Sequence, residues 1–249
     1  MSEAAPQTMA VSMQMNGATA LITLARPRQS NSYTQGMLSD IERLVECAEA
    51  DSNARAIVFT GEGNRTFCAG ADRTEIASRD WRSVLSLKSA KVFDRIRTSR
   101  KITVAAINGV AVGGGFELAL CCDLRIAVAS ARFWLPEPEF GLIPAAAATK
   151  LLPKTVGALR ARDLVLGGAQ WSAAEALTAG LLSEVAPDDG LMDCVQKWVA
   201  RVVRRDSDAL FLAKQALELS STGADSTYFD LLAQALLVQM QANHTKDLA

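Results

Sequence analysis

The sequence predicts an α/β protein with a mainly parallel sheet. Short continuous apolar runs, rich in β-branched residues, recur through the first part of the chain. Each is followed by a loop of small residues and then by apolar residues at helical spacing. Beyond about Ala145 the strand signals stop and helical patterns take over, so helices are expected to complete the fold. At 249 residues, 49% hydrophobic and 21% charged, the chain suits one large domain, with or without a small helical appendage.

Residues 13–16 and 18–24 flank Gly17 and read as two short strands joined by a tight turn. Residues 34–50 place Met37, Leu38, Ile41, Leu44, Val45 and Ala48 on one helical face. Residues 56–60 form a buried strand, and 61–72 a glycine-containing loop. A single long helix is expected over 81–100. A buried strand follows at 102–107, a glycine-rich turn at 108–115, a short helix at 116–122 and a third buried strand at 124–129. Helices are then expected over 158–166, 172–179, 191–204, 207–219 and 226–242.

Composition removes several classes of function. The net charge of −1 offers no bulk attraction to nucleic acid or to an anionic membrane. No apolar stretch approaches the roughly 18 residues needed to span a bilayer. Residues 1–11 lack a basic region followed by an apolar core, so no secretory signal is expected. The five cysteines, an odd number without a CxxC pair, suit a reduced cytoplasmic protein. The single histidine is His244, six residues from the C-terminus. Histidine-based triads and imidazole zinc sites are therefore not expected, and acid–base work falls to carboxylates, lysines or the two tyrosines.

Two loops carry the chemical signal. Thr66-Phe67-Cys68-Ala69-Gly70-Ala71-Asp72 leaves a buried strand and ends at a residue suited to capping a helix. Asn108-Gly109-Val110-Ala111-Val112-Gly113-Gly114-Gly115-Phe116-Glu117 leaves the next strand and enters a helix. Small residues let backbone amides approach a ligand closely, and amides at a helix start lack internal partners. Two such loops on neighbouring strands can aim two N–H groups at one oxygen. That is an oxyanion hole, whose single donors are typically worth about 10²–10³ in rate. Close helix–strand packing is the plain alternative for the triple glycine. No Lys-Ser/Thr follows it, so it is not a Walker A loop.

Glu117 falls in the first turn of the helix after Gly115, and Glu137 sits in Leu135-Pro136-Glu137-Pro138, a rigid extended stretch. Each has a structural reading, as a helix-start charge and as a surface turn residue. Converging on one site, two carboxylates would titrate apart and supply a base and an acid.

The run Phe67–Asp72, then Ala105-Ala106-Ile107-Asn108-Gly109 through Gly113-Gly114-Gly115-Phe116-Glu117-Leu118-Ala119, then Cys122-Asp123, Phe133 through Pro136-Glu137, and Gly141-Leu142-Ile143-Pro144 resembles the crotonase superfamily of enoyl-CoA hydratases and isomerases. Ala174-Glu175-Ala176-Leu177, Gly180-Leu181-Leu182 and Ala213-Lys214 extend the likeness to about residue 245. The resemblance implies a crotonase-like ββα spiral core over 11–190, behind a flexible lead over 1–10. It implies a C-terminal helical region over 191–249 that supports homotrimers, often paired as dimers of trimers. It implies an acyl-CoA thioester whose carbonyl oxygen is held by the amides of Ala71 and Gly114. Glu117 would help activate a water for attack on Cβ, and Glu137 would supply the proton to Cα. Substrate contacts from Ala69, Asp72, Arg73 and Thr74 are carried over with it. No metal or redox cofactor is implied, because the substrate carries the coenzyme A.

Two features depart from the hydratase pattern. After Pro144 that pattern is usually glycine-rich and continues Thr-Gln-Arg, whereas here it is Ala145-Ala146-Ala147-Ala148-Thr149-Lys150. Extra methyls imply a reshaped acyl pocket, or simply a better helix start. Many relatives also continue past the position of Ala249 with a basic segment that covers the CoA, so a shorter lid, or one lent by a neighbouring subunit, is expected. Trp134, beside Phe133, reads as core, with the acyl tunnel as the alternative. The rival reactions are Δ3-Δ2 enoyl-CoA isomerisation and a specialised biosynthetic dehydration. A rival of another class is a catalytically silent CoA-ester or RNA-binding protein, using Lys88, Lys91, Arg95, Arg97, Arg100 and Lys101.

Overall fold

The computed structural model describes residues 9–221 and 225–247, with residues 242–247 as backbone only. The expected lead over 1–10 thus lies outside the described residues as far as Thr8, and so does the side chain of His244.

The chain opens with an antiparallel hairpin, β1 (Val11–Asn16) and β2 (Thr19–Leu24). Gly17, at φ +59°, makes the turn, a conformation that disfavours a Cβ. Helix α1 (Gln35–Ala50) is capped by Thr34, whose hydroxyl accepts the Met37 amide at 3.2 Å. The face read from the sequence, Met37 through Ala48, is buried.

From here the strands alternate between two sheets. β3 (Ala56–Gly61) joins the large sheet and β4 (Thr66–Cys68) the small one, followed by α2 (Arg73–Ala77), α3 (Trp81–Leu85) and α4 (Lys88–Arg97). β5 (Ile102–Ile107) and β6 (Val110–Val112) repeat the step and lead into α5 (Gly114–Leu120). β7 (Leu124–Val128) and β8 (Arg132–Trp134) repeat it again and lead into a 3₁₀ turn, Glu137–Phe140. Each turn of the spiral thus contributes one strand to each sheet. The large sheet runs β1-β2-β3-β5-β7-β10 and the small one β4-β6-β8-β9.

The remaining elements are α6 (Ala148–Val156), α7 (Ala158–Leu166), β9 (Trp171–Ser172), α8 (Ala173–Thr178), β10 (Glu184–Ala186), α9 (Leu191–Val203), α10 (Ser207–Ser221) and α11 (Thr227–Asp247). α9 buries Leu191, Val195 and Val199 in the same core as the sheet strands.

Three expectations are corrected. Strands do not end near Ala145: β9 pairs with β8 and β10 with β7. Both are only two or three residues long, too short to show alternation. The single helix over 81–100 is broken at Ser86 and Leu87, with Asp80 capping the first piece through the Ser83 amide at 2.7 Å. The loops over 61–72 and 108–115 contain the three-residue strands β4 and β6.

Candidate active site

β4, β6 and β8 are mutually parallel neighbours in the small sheet. Their C-terminal ends therefore open on the same edge. Ala71 follows β4, Gly114 and Glu117 follow β6, and Glu137 follows β8. Sheet topology alone brings together residues that are far apart in the chain.

The first two loops meet backbone to backbone. A Cβ on Gly70, which sits at φ +90°, would lie 3.0 Å from the Gly114 nitrogen, and one on Gly115 would lie 2.0 Å from the Cys68 carbonyl oxygen. Only glycine permits this approach. Ala71 forms a parallel bridge with Tyr33. Its two hydrogen bonds run from the Tyr33 amide to the Gly70 carbonyl and from the Asp72 amide to the Tyr33 carbonyl, both 2.9 Å. This pattern turns the Ala71 N–H away from Tyr33. Gly114 is the first residue of α5, where the helix provides no acceptor for its amide. Neither amide is thus bonded to an acceptor among the described residues.

Two buried asparagines hold the first loop. Asn31, itself at φ +53°, donates to the carbonyls of Glu62 at 3.0 Å and Thr66 at 2.7 Å. Asn108 donates to the carbonyls of Gly61 and Gly63, both 2.8 Å, and accepts the Gly61 amide at 3.1 Å.

Glu117 is 3% exposed. Its Oε1 accepts the amides of Ala147 at 2.8 Å and Ala148 at 3.0 Å. Burial pushes its carboxyl above the usual range, while the amides of Ala148, Ala147 and Ala146 pull the other way. Glu137 stands at the first position of the 3₁₀ turn and not in an extended stretch as the flanking prolines suggest. Burial raises its carboxyl to about 7, opposed by its own amide and assisted by the charge of Glu117. Its Oε2 is buried without a hydrogen-bond partner. Glu117 and Glu137 are therefore brought within electrostatic reach of each other, each with its carboxyl shifted upward.

The other residues read from the sequence surround this pair. Ala69 donates its amide to the Ser30 carbonyl at 3.0 Å. Asp72 caps α2, accepting the Thr74 amide at 3.0 Å and hydroxyl at 2.7 Å, and pairs with Arg26 at 2.9 Å. Thr74 and then Arg26 hold its carboxyl below the usual range. The Arg73 guanidinium lies over the Phe140 ring, 5.2 Å from its centroid, linking the first loop to the turn that carries Glu137. Ala147 and Ala148 are buried, and their amides meet Glu117 at the start of α6. The alanine block is thus a helix start capped by a carboxylate from another element. Trp134 is half-buried, whereas Phe133 is fully so.

The sequence reading missed Tyr33. The Tyr33 hydroxyl lies against Gly114: a Cβ on that glycine would stand 2.1 Å from it. Burial chiefly, and then the charge of Glu117, push this hydroxyl far up, so it is held as a neutral donor. Nothing in the spacing of Asn31-Ser32-Tyr33 signals this position.

The basic residues of the RNA-binding alternative are largely engaged within the chain. Arg95 pairs with Glu49, Arg97 with Asp94 and Glu218, and Arg100 with Asp208. Lys88 donates to the Gln35 carbonyl and Lys101 to that of Asp51. Among the described residues no cluster of three His, Cys, Asp or Glu is placed to hold a metal ion. No described helix is long and apolar enough to cross a membrane.

Comparison with known proteins agrees with this geometry. The family model described as enoyl-CoA hydratase/isomerase matches residues 14–247. The chain is 37% identical to the 2,3-dehydroadipyl-CoA hydratase of Escherichia coli strain K12 over 200 residues, covering 80% of this chain and 78% of that one. It is 33% identical over 211 residues to the short-chain-enoyl-CoA hydratase of Clostridium acetobutylicum, covering 83% and 80%. The crystal structure of an enoyl-CoA hydratase from Bacillus anthracis superposes with a TM-score of 0.87 at 30% identity, covering 96% of this chain and 97% of that one. Sequence and fold agree over nearly the whole described chain: the protein belongs to the enoyl-CoA hydratase/isomerase family of the crotonase superfamily.

Proposed function

We propose that the protein is a hydro-lyase that adds water syn across the 2,3 double bond of a trans-2-enoyl-CoA. The observation that carries this reading is the convergence of two carboxyls, both shifted toward the neutral form, on two free backbone amides. The thioester oxygen accepts from the amides of Ala71 and Gly114, which stabilise the negative charge it gains as the enolate forms. Glu117 takes a proton from water through Oε2, its Oε1 being held by Ala147 and Ala148. The water oxygen bonds to Cβ. Glu137, raised by burial to about 7 so that its neutral form is populated near pH 7, delivers its proton to Cα. One water is consumed and both of its hydrogens are accounted for once the carboxyls re-equilibrate. The reaction requires no metal or redox cofactor beyond the coenzyme A of the substrate. Ala69, Asp72, Arg73 and Thr74 complete the substrate-binding side of the loop.

Large apolar side chains are exposed along α11, among them Tyr228, Leu231, Leu232, Leu236 and Val238. They support assembly through the C-terminal helices into a homotrimer or a dimer of trimers. The five unpaired cysteines fit a reducing compartment, and we assign the protein to the cytoplasm.

Loss of enoyl-thioester absorbance with crotonyl-CoA, together with a 3-hydroxyacyl product by mass, tests this reading. New absorbance from a trans-3-enoyl-CoA, with no water added to either substrate, would replace hydration with isomerisation.

A further inference from the structure

Arg79 lies in the turn between α2 and α3, its amide bonded to the Ile76 carbonyl at 3.2 Å. Its Nη2 is buried and has no hydrogen-bond partner. A buried guanidinium nitrogen without an acceptor is costly in a folded protein, and the deficit is removed when a ligand supplies the missing acceptor. The neighbouring carboxylate does not fill this role. Glu75 is occupied by the Gln35 amide, at 2.9 and 3.2 Å from its two oxygens, and no ion pair among the described residues includes Arg79.

Arg79 forms part of the wall of a cavity of about 430 Å³, with Gln35, Glu75, Ser78, Ser83 and Lys88 among its other walls. The lining is mixed: apolar surface, including that of Leu87, makes up the larger part, and the charged groups are two cations against one carboxylate. A plain alkyl chain would desolvate these groups and satisfy none of them. The cavity is linked through Tyr33 to the loops that are proposed to hold the thioester. Gln35 is two residues beyond Tyr33, whose hydroxyl faces Gly114. The charge of Arg79 also reaches Tyr33, where it opposes the larger effect of burial on that hydroxyl. Arg79 is therefore within electrostatic reach of the Tyr33 hydroxyl, which itself faces Gly114.

We infer that Arg79 is a specificity-determining residue that receives the free carboxylate at the far end of a dicarboxylic enoyl chain. A carboxylate presents two acceptor oxygens to the planar guanidinium, the geometry in which arginine pairs most strongly. The hydroxyls of Ser78 and Ser83 in the same cavity donate to the carbonyls of Glu75 and Asp80, so the guanidinium is the donor that pairs with the carboxylate, and Lys88 adds positive charge. A site built to hydrogen-bond a polar group rejects the analogue that lacks it more strongly than an apolar pocket rejects an extra methylene. The inference rests on the hydratase reading for the chemistry at the other end of the chain, but its binding component can be measured without turnover.

The test compares trans-2-hexenedioyl-CoA with trans-2-hexenoyl-CoA as substrates for the native protein, Arg79→Met and Arg79→Lys. It also compares unreactive adipyl-CoA with hexanoyl-CoA as ligands by calorimetry. Native protein is expected to favour the diacid by about 10² in kcat/KM and to bind adipyl-CoA more tightly than hexanoyl-CoA. Arg79→Met is expected to lose about 10² on the diacid only, with the monoacid within about two-fold, and Arg79→Lys to keep part of the preference. Equal losses on both substrates would overturn the inference and assign Arg79 to the fold or to the CoA phosphates. So would a native protein that binds the two saturated esters equally. If neither enoyl ester is hydrated while adipyl-CoA still binds preferentially and depends on Arg79, the hydratase reading fails and the carboxylate site stands.

Discussion

Gly113 and Glu137 touch across the gap between β6 and β8: a Cβ on the glycine would stand 2.7 Å from Oε1 of the glutamate. The glycine is also at φ +53° and ψ −127°, a conformation that L side chains rarely adopt. Both the backbone path into α5 and the seat of the second carboxylate therefore depend on a missing side chain. Gly113→Ala is expected to destabilise the fold by about 1–3 kcal/mol. It is also expected to lower kcat at least ten-fold, because the displaced carboxylate no longer meets Cα. Thermal melts and crotonyl-CoA kinetics on the purified variant check both effects, and unchanged kcat would detach Glu137 from the chemistry.

Glu117 has two functions that substitution can separate. Its Oε1 satisfies the amides that open α6, and its other oxygen is assigned to the water. Glutamine keeps an acceptor for the amides but no longer takes a proton. Glu117→Gln is expected to lower kcat by about 10² or more with little change in stability, as is Glu137→Gln. Glu117→Ala is expected to lose the same activity and a further 1–2 kcal/mol or so of stability, since α6 then starts uncapped. Equal stability of the glutamine and alanine variants would remove the capping role. Full activity in both glutamine variants would remove the two-carboxylate mechanism.

The pH dependence follows from the direction of the shifts. Glu137 is raised from 4.5 to about 7, so between those values the folded protein holds a proton that the unfolded chain has released. Stability then falls as pH rises through this window, the reverse of a salt-bridged carboxylate. Glu117 is shifted the same way. Native protein is expected to melt higher at pH 5 than at pH 8 on account of this pair, and Glu137→Gln to show a smaller difference. Catalysis should decline as pH rises past about 7, because the neutral acid that serves Cα is depleted. A kcat/KM profile still flat above pH 8 would mean that Glu137 is not the acid.

The loops and both carboxylates were legible because their chemistry is written in residue type: glycines where backbones touch, and glutamates beside them. Helices α1, α7, α9 and α10 were legible because two and a half turns or more of apolar spacing leave a clear period. The small sheet was not. Its strands, Thr66–Cys68, Val110–Val112, Arg132–Trp134 and Trp171–Ser172, are shorter than one recognisable alternation, yet the parallel pairing of the first three is what gathers the site. Tyr33 and Arg79 were hidden for another reason. Each matters through what lies opposite it in space: Gly114 is far from Tyr33 in the chain, and Glu75, close to Arg79 in sequence, is taken up by Gln35, 40 residues away.

Lys214 reaches from α10 into the core and is only 6% exposed. Its Nζ lies 2.8 Å from Oδ2 of Asp123, which also accepts the Thr103 amide at 2.7 Å and hydroxyl at 2.9 Å. One carboxylate thus ties the C-terminal helices to β5 and to the segment after α5. Removing the lysine strands a charge that Thr103 offsets only in part, a loss of about 2–3 kcal/mol for a charged hydrogen bond. Lys214→Met is accordingly expected to lower Tm by about 4–10 °C for a chain of this size. Neither residue lies among the groups assigned to the reaction, so kcat on crotonyl-CoA should stay within about two-fold at a temperature where the variant is folded. Asp123→Asn should cost less in the Lys214→Met background than in native protein, because the charge it removes has already lost its partner. Strict additivity of the two changes would show that the ion pair contributes nothing to holding α10 in place.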